Sequence, residues 1–179
     1  MAPIEVPPSG AWLSPQAFSQ AVAALPLVSL DAYVLDANGR LLLGQRNNAP
    51  ARGAWFTPGG RVRKGETLPL AWKRLWAQEL GWHDRPVPAG RLLGAWDHMY
   101  PDSAFDPNMP THYVNLAYAV EPPAQGWPLW DLPQGEKAQH GQWQWLALDR
   151  AALDDAVHVH VRTTLCEGWR GGLVAPACV

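Results

Sequence analysis

The chain has 179 residues, 47% of them hydrophobic and 17% charged, with a formal net charge of -2. It is long and apolar enough for one domain with a packed core, which excludes a disordered chain. Near-neutral charge without a long basic tract excludes a nucleic-acid surface, and no apolar run is long enough for a membrane span, so a cytoplasmic protein is expected.

The opening MAPIEVPPSGAW lacks the charged and apolar regions of a secretory signal. Residues 1–12 read as a flexible or draped arm. Ser14 before Pro15 is a helix cap followed by a proline at the first helical position. Ala17, Phe18, Ala21, Val22 and Leu25 then recur at helical spacing until Pro26 stops the helix. Leu27 to Leu35 is predicted as a strand, and Asn38-Gly39 suits a hairpin turn into a second strand over Arg40 to Arg46. A loop from Asn47 to Ala54 ends in the short strand Trp55-Phe56-Thr57. A helix is predicted from about Leu68 to Leu80. Thr67 is its cap, Pro69 lies in its first turn, and Gly81 follows its end. Ala89 to Met99 and His112 to Val120 pair as strands, and the proline-rich loop PDSAFDPNMP between them is a flap over a site. A long connection with four prolines, Glu121 to Ala138, leads to a strand over Gln142 to Leu148. Asp149 caps a short helical turn. A last helix runs from roughly Ala156 to Trp169, and residues 170–179 form a tail. Cys166 and Cys178 are too few for a disulfide framework. Most of the eleven tryptophans are expected to fill the core. Helices interleaved with strands predict a mixed sheet between helical layers, in a single domain spanning 1–179.

The stretch from Gly59 to Trp82, GGRVRKGETLPLAWKRLWAQELGW, carries the first chemical signal. A glycine turn admits a phosphate closely, and its amides and the helix start receive negative charge. Glu79, about three turns along the helix, can hold a hard cation such as magnesium. The stretch predicts a diphosphate-plus-metal site.

It resembles the Nudix box, G-x5-E-x7-R-E-U-x-E-E-x-G-U with U apolar. Gly60, Glu66, Arg74, Glu79, Gly81 and Trp82 fit, while Leu75 and Gln78 stand where two glutamates belong. That departure is similar to one branch, the GDP-mannose mannosyl hydrolases. PLVSLDAYVLD, LLLGQRNNAPARGAWFTPGG, GAWDHMY, THYVNLAY and the pair Gln139-His140 extend the likeness from roughly Leu13 to Trp169.

The resemblance implies a Nudix-type α/β/α sandwich with a mixed β-sheet, a homodimer with the first helix near its interface, and Mg2+ as the cofactor. It implies one magnesium on Glu79, the carbonyl of Gly59 and the side chain of Gln139. The implied reaction is hydrolysis of GDP-mannose to GDP and mannose, with inversion. His140 activates water against the anomeric carbon, not a phosphorus. Charge building on the diphosphate calls for cations, supplied by Arg46, Arg61 and the metal, and the sugar calls for an anion, supplied by Asp31. A buried acid inside the apolar strand SLDAYV itself needs a partner. Arg74, His98 and Tyr113 match family site positions: Arg74 is expected to pair with the diphosphate or with Glu79, and His98 and Tyr113 to contact phosphate or help neutralise the leaving group. Adjacent strand residues face opposite ways, so at most one of His112 and Tyr113 faces the site, and the resemblance favours Tyr113. Candidates to stack on guanine are Trp12, Phe18, Tyr33 or a partner-chain residue. His83, His158 and His160 do not join this set, and Arg63 and Lys64 are expected to be solvated. GDP-glucose differs from GDP-mannose by one hydroxyl orientation, and the sequence leaves that choice open. The competing readings are a conventional Nudix pyrophosphohydrolase acting at phosphorus and a non-catalytic nucleotide-sugar binding protein.

Overall fold

A computed structural model describes residues 14–128, 131–136 and 138–168. The arm expected over 1–12, the tail over 170–179 and Trp12 lie outside the described residues. The elements run α1 (Pro15–Ala24), β1 (Leu27–Val34), β2 (Arg40–Arg46), β3 (Trp55–Phe56), β4 (Gly59–Arg61), α2 (Leu68–Leu80), β5 (Arg91–Tyr100), β6 (Thr111–Val120), β7 (His140–Ala147), α3 (Leu148–Leu153) and α4 (Val159–Gly168).

The strands form two sheets instead of one. Four strands lie in the order β4-β1-β6-β5, and three in the order β3-β2-β7. β1 and β6 are parallel, and the other pairings are antiparallel. The hairpin expected between β1 and β2 is therefore a crossing between sheets. The turn itself forms: Asp36 Oδ1 accepts from the amides of Asn38 and Arg40 at 2.9 and 2.8 Å. Beyond it only a bridge between Leu35 and Leu41 joins the two segments, because both edges of β1 are taken by β4 and β6.

The central parts of β1 and β2 are buried on both faces, and their alternation sorts the core into two layers. Leu30, Ala32 and Val34 of β1 meet Ala71, Leu75, Trp76 and Leu80 of α2, together with Leu42 of β2. Tyr33, Leu41, Leu43, Ala117 and Ala119 face the other way, onto Ala151 and Ala152 of α3 and Val161 and Leu165 of α4. Trp72, Trp76, Trp82, Trp127, Trp143 and Trp145 all belong to the α2 layer, in keeping with core filling.

Helix ends follow local chemistry. Ser14 Oγ accepts from the Ala17 amide at 3.2 Å. Gly81 closes α2 in the left-handed conformation that glycine tolerates. Thr67 precedes α2 but its side chain makes no capping bond. Pro69, at the second helical position, has no amide to offer it. β7 begins at His140, two residues earlier than the periodicity suggests, and α4 begins at Val159, three residues later. Cys166 packs against the α3–α4 core and is disulfide-bonded.

Candidate functional site

A cavity of about 790 Å³ opens on the α3–α4 side of the four-stranded sheet. β1 supplies Ser29 and Asp31, β6 supplies Tyr113, and β5 supplies His98 and Tyr100. Arg46 enters from β2 and Gln139 from the residue before β7. Gly59, Gly60 and Arg61 of β4 form one rim, Phe18 of α1 another. The loop after β5 adds Asp102 to Pro107, in the flap position expected for it.

Strand alternation explains these placements. Leu27, Ser29 and Asp31 pair with Tyr113, Asn115 and Ala117 across the parallel ladder, so odd-numbered residues of both strands share the cavity face. His112 turns to the opposite face and meets Asp97 at 2.9 Å. Arg46 follows a register shift between Gly44 and Arg46 in the β2–β7 pairing, which re-aims the strand end.

Two opposite charges at the cavity, Arg46 and Asp31, are each left with a buried polar atom that makes no hydrogen bond. Arg46 Nη2 donates to the Pro50 carbonyl at 3.4 Å, while its buried Nε has no partner. Asp31 is 5% exposed, and its Oδ2 has no partner either. Burial pushes the Asp31 carboxyl up to about 7, against the pull of Arg46, Asn115 and Thr57. Burial likewise pushes Glu79 up to about 7, against Arg46 and Arg74. Buried ionisable groups without direct partners are costly, and they mark a place where charge arrives with a ligand. Arg61 lies 3.9 Å over the Phe18 ring, which meets Phe105 edge-on at 5.2 Å. This places Phe18 on the cavity wall, whereas Tyr33 is fully buried in the core.

Gly59 sits where no side chain fits. A Cβ there would stand 2.2 Å from Asp31 Oδ1. Its carbonyl accepts from Gln139 Nε2 at 3.1 Å, so the two groups expected to share a cation bond to each other. A half turn of the amide places Oε1 where Nε2 now stands. Glu79, from the last turn of α2, borders a small enclosure shared with Gly59, and among the described residues its nearest ionisable partner is His140 Nδ1, 3.8 Å from Oε2. The donor set of carbonyl, amide oxygen and carboxylate suits a hard cation. Among the described residues no group of three His, Cys, Asp or Glu is arranged to hold a metal, so a multi-carboxylate cage is absent.

Two expected site residues stand elsewhere. Arg74 does not reach the cavity. Its guanidinium is forked onto Glu66, Nε to Oε1 and Nη2 to Oε2 both at 2.7 Å, and Nη2 also donates to the Arg61 carbonyl at 2.9 Å. It thus braces the backbone of Arg61. Glu66→Ala leaves this guanidinium without its partner and is expected to cost about 3 kcal/mol, read as a lowered Tm and urea midpoint.

His140, expected as the base, also stands apart from the cavity. It is 1% exposed, lies outside the cavity lining, and neither ring nitrogen has a hydrogen-bond partner. Its ring packs beneath Gly44, where a Cβ would approach to 2.5 Å, and beside Trp143 at 4.7 Å. Nδ1 is 3.8 Å from Glu79 Oε2. Burial and then Arg46 push the imidazole down to about 3, which makes it a weak base.

The sequence reading missed Asn47, which fastens the segment leading to Gln139. Its Nδ2 donates to the carbonyls of Gly135 and Ala138 at 3.0 and 2.9 Å, and its amide to the Gln139 carbonyl at 3.0 Å. The only hint was a polar pair directly after the Arg46 strand. Ser29, Thr57 and Asn115, which surround Asp31, were also missed, being ordinary strand residues in sequence.

The NUDIX domain family matches residues 25–165. The chain belongs to the Nudix hydrolase family. Over 99 residues this Nudix chain is 43% identical to the low-salt glycan biosynthesis protein Agl8 of Haloferax volcanii, a match covering 55% of this chain and 61% of that protein. The chain thus spans about three fifths of the length of that relative. Among solved structures, the fold resembles the MutT protein of Methanosarcina mazei, with a TM-score of 0.60 and 20% identity over 78% of this chain and 90% of that one. It also resembles the MutT NUDIX hydrolase of Burkholderia pseudomallei, with a TM-score of 0.58 and 27% identity over 79% of this chain and 97% of that one. No helix among the described residues is long and apolar enough to cross a membrane.

Proposed function

We propose that this Nudix protein hydrolyses a nucleotide sugar of the GDP-mannose type to GDP and the free sugar, with magnesium, by attack of water at the anomeric carbon. One observation supports this reading above the others: Glu79 is the single box-helix carboxylate free to meet a cation. Leu75 is buried against Leu30 and Ala71. Gln78 accepts from Arg63 and Arg74 at 3.5 and 3.3 Å. Glu66 is committed to Arg74. Chemistry at phosphorus that relies on several cations needs several carboxylates on one helix face. Attack at carbon relaxes that need, because the diphosphate departs as a stabilised anion. Similarity to a protein named for glycan biosynthesis points the same way.

Gly59, Gln139 and Glu79 would hold the magnesium, which when bound supplies positive charge to the departing diphosphate. Arg46 and Arg61 bind the same diphosphate from the cavity wall, beside His98 and Tyr113. Asp31 takes the base role that the family resemblance gives to His140. It lines the cavity, its Oδ2 is unpartnered, and burial pushes its carboxyl up to about 7. An inverting glycosidase uses a carboxylate in the same way, to draw a proton from water on the face opposite the leaving group. The proton passes to Asp31. The bond from the anomeric carbon to the diphosphate oxygen breaks, and its electrons leave with GDP.

His140→Gln tests the reassignment. With His140 acting only through Glu79, kcat is expected to fall by less than about tenfold. A loss larger than that of Asp31→Asn, with nucleotide-sugar binding retained, returns the base role to His140 and requires the start of β7 to open during turnover.

A further inference from the structure

The step His158-x-His160 was set aside in the sequence as neither metal ligand nor site, yet the fold brings it against His98. The His160 ring, from the first turn of α4, stacks on His98 with centroids 4.2 Å apart and planes inclined by 4°. His158 lies 4.9 Å from His160, and Tyr100 closes on His160 edge-on at 4.9 Å. His98 and Tyr100 line the cavity, with His158 and His160 behind them.

Hydrogen bonds set the tautomers of the rear pair. His160 Nε2 is 3.1 Å from the Met99 carbonyl oxygen, which only accepts, so the proton is on Nε2. The His160 amide donates to His158 Nδ1 at 3.3 Å, so that nitrogen carries a lone pair and His158 is neutral. His98 Nε2 is buried and has no partner.

We propose that His158 and His160 are positioning residues that fix the plane of His98 in the cavity wall and present it to the substrate as an uncharged hydrogen-bonding group. This rests on the reading of His98 as a diphosphate contact. Protonating His98 would set a cation face to face with a second imidazole. Burial, then His160 and His158, hold its proton affinity down to about 3. Asp97, its neighbour on β5, is the charge that opposes them. Tyr113 pairs with it from β6, Phe56 meets it edge-on at 6.3 Å, and Arg46 and Arg162 act on His158.

The test compares His160→Phe, which keeps a flat ring, with His160→Asn, which keeps a donor for the Met99 carbonyl but has no ring. Ring-nitrogen NMR of His98 in the substrate-free protein is read beside the pH dependence of kcat. In the wild type and His160→Phe, His98 is expected to stay neutral well below pH 6.5, the ordinary histidine value. In His160→Asn its midpoint rises by at least about one unit, and because its plane is no longer fixed kcat falls roughly fivefold at pH 7 to 8, where His98 is neutral in every variant, with KM within about twofold. Wild-type behaviour of His160→Asn, or a loss in His160→Phe equal to that in His160→Asn, overturns the proposal. If His160→Asn does not fold, the His160→Phe titration still decides it. The NMR arm needs no turnover, so a failure of the nucleotide-sugar reading leaves it intact.

Discussion

Replacing Asp31 with Asn is expected to lower kcat on GDP-mannose by about 10²–10³ while KM changes by no more than a few fold. The residue stands between β4 and β6 with its carboxyl against Gly59, so an isosteric amide fits the space and removes only the ability to take a proton. The native acid is also poorly satisfied: burial raises it to about 7, and Oδ2 has no partner. Removing a costly buried charge should leave Tm unchanged or slightly higher. Loss of activity with gain of stability is the pattern of a group kept for function. The check is steady-state kinetics alongside a thermal melt. A variant that keeps wild-type kcat removes Asp31 from the chemistry. One that loses activity together with several degrees of Tm assigns it a structural role.

The second large effect is expected at Glu79. Glu79→Gln should reduce kcat by about 10³ at limiting magnesium and raise the half-saturating magnesium concentration at least about tenfold. The reason is the poverty of the donor set. With Leu75 in the core, Gln78 among arginines and Glu66 on Arg74, no second carboxylate of the helix can take over. The remaining partners of a cation are a carbonyl and an amide, and neither carries charge. Magnesium titration by activity, and by calorimetry in the presence of GDP, measures this directly. Equal magnesium curves for the two proteins would remove Glu79 from the cation site.

The parts of this architecture that depend on local chemistry were legible in the sequence. The bounds of α2, the Ser14 cap and the reversal at Asp36–Gly39 follow from residues a few positions apart. Period-two alternation allowed only one of His112 and Tyr113 at the cavity, and the family resemblance favoured Tyr113. The same rule separates Gln139 from His140. Gln139 and His140 are adjacent where β7 begins, so one meets the cavity and the other the α2 face, and the motif alone does not say which. Pairing over long distances was hidden. A turn shows that the chain reverses but not which strands then share hydrogen bonds, so β1 and β2 could separate into two sheets unforeseen. Arg74 and Glu66 sit eight residues apart, one on the helix and one before it, and no helical spacing announces their fork. His98 and His160 are brought together only by the packing of α4 on β5.

The central claim is that water bonds to carbon. GDP-mannose turned over in ¹⁸O-enriched water, with both products weighed by mass spectrometry, tests it most directly. The account predicts one heavy oxygen in mannose and none in GDP. GMP and mannose 1-phosphate as products, or heavy oxygen in any phosphate, would contradict it and point to a conventional reaction at phosphorus.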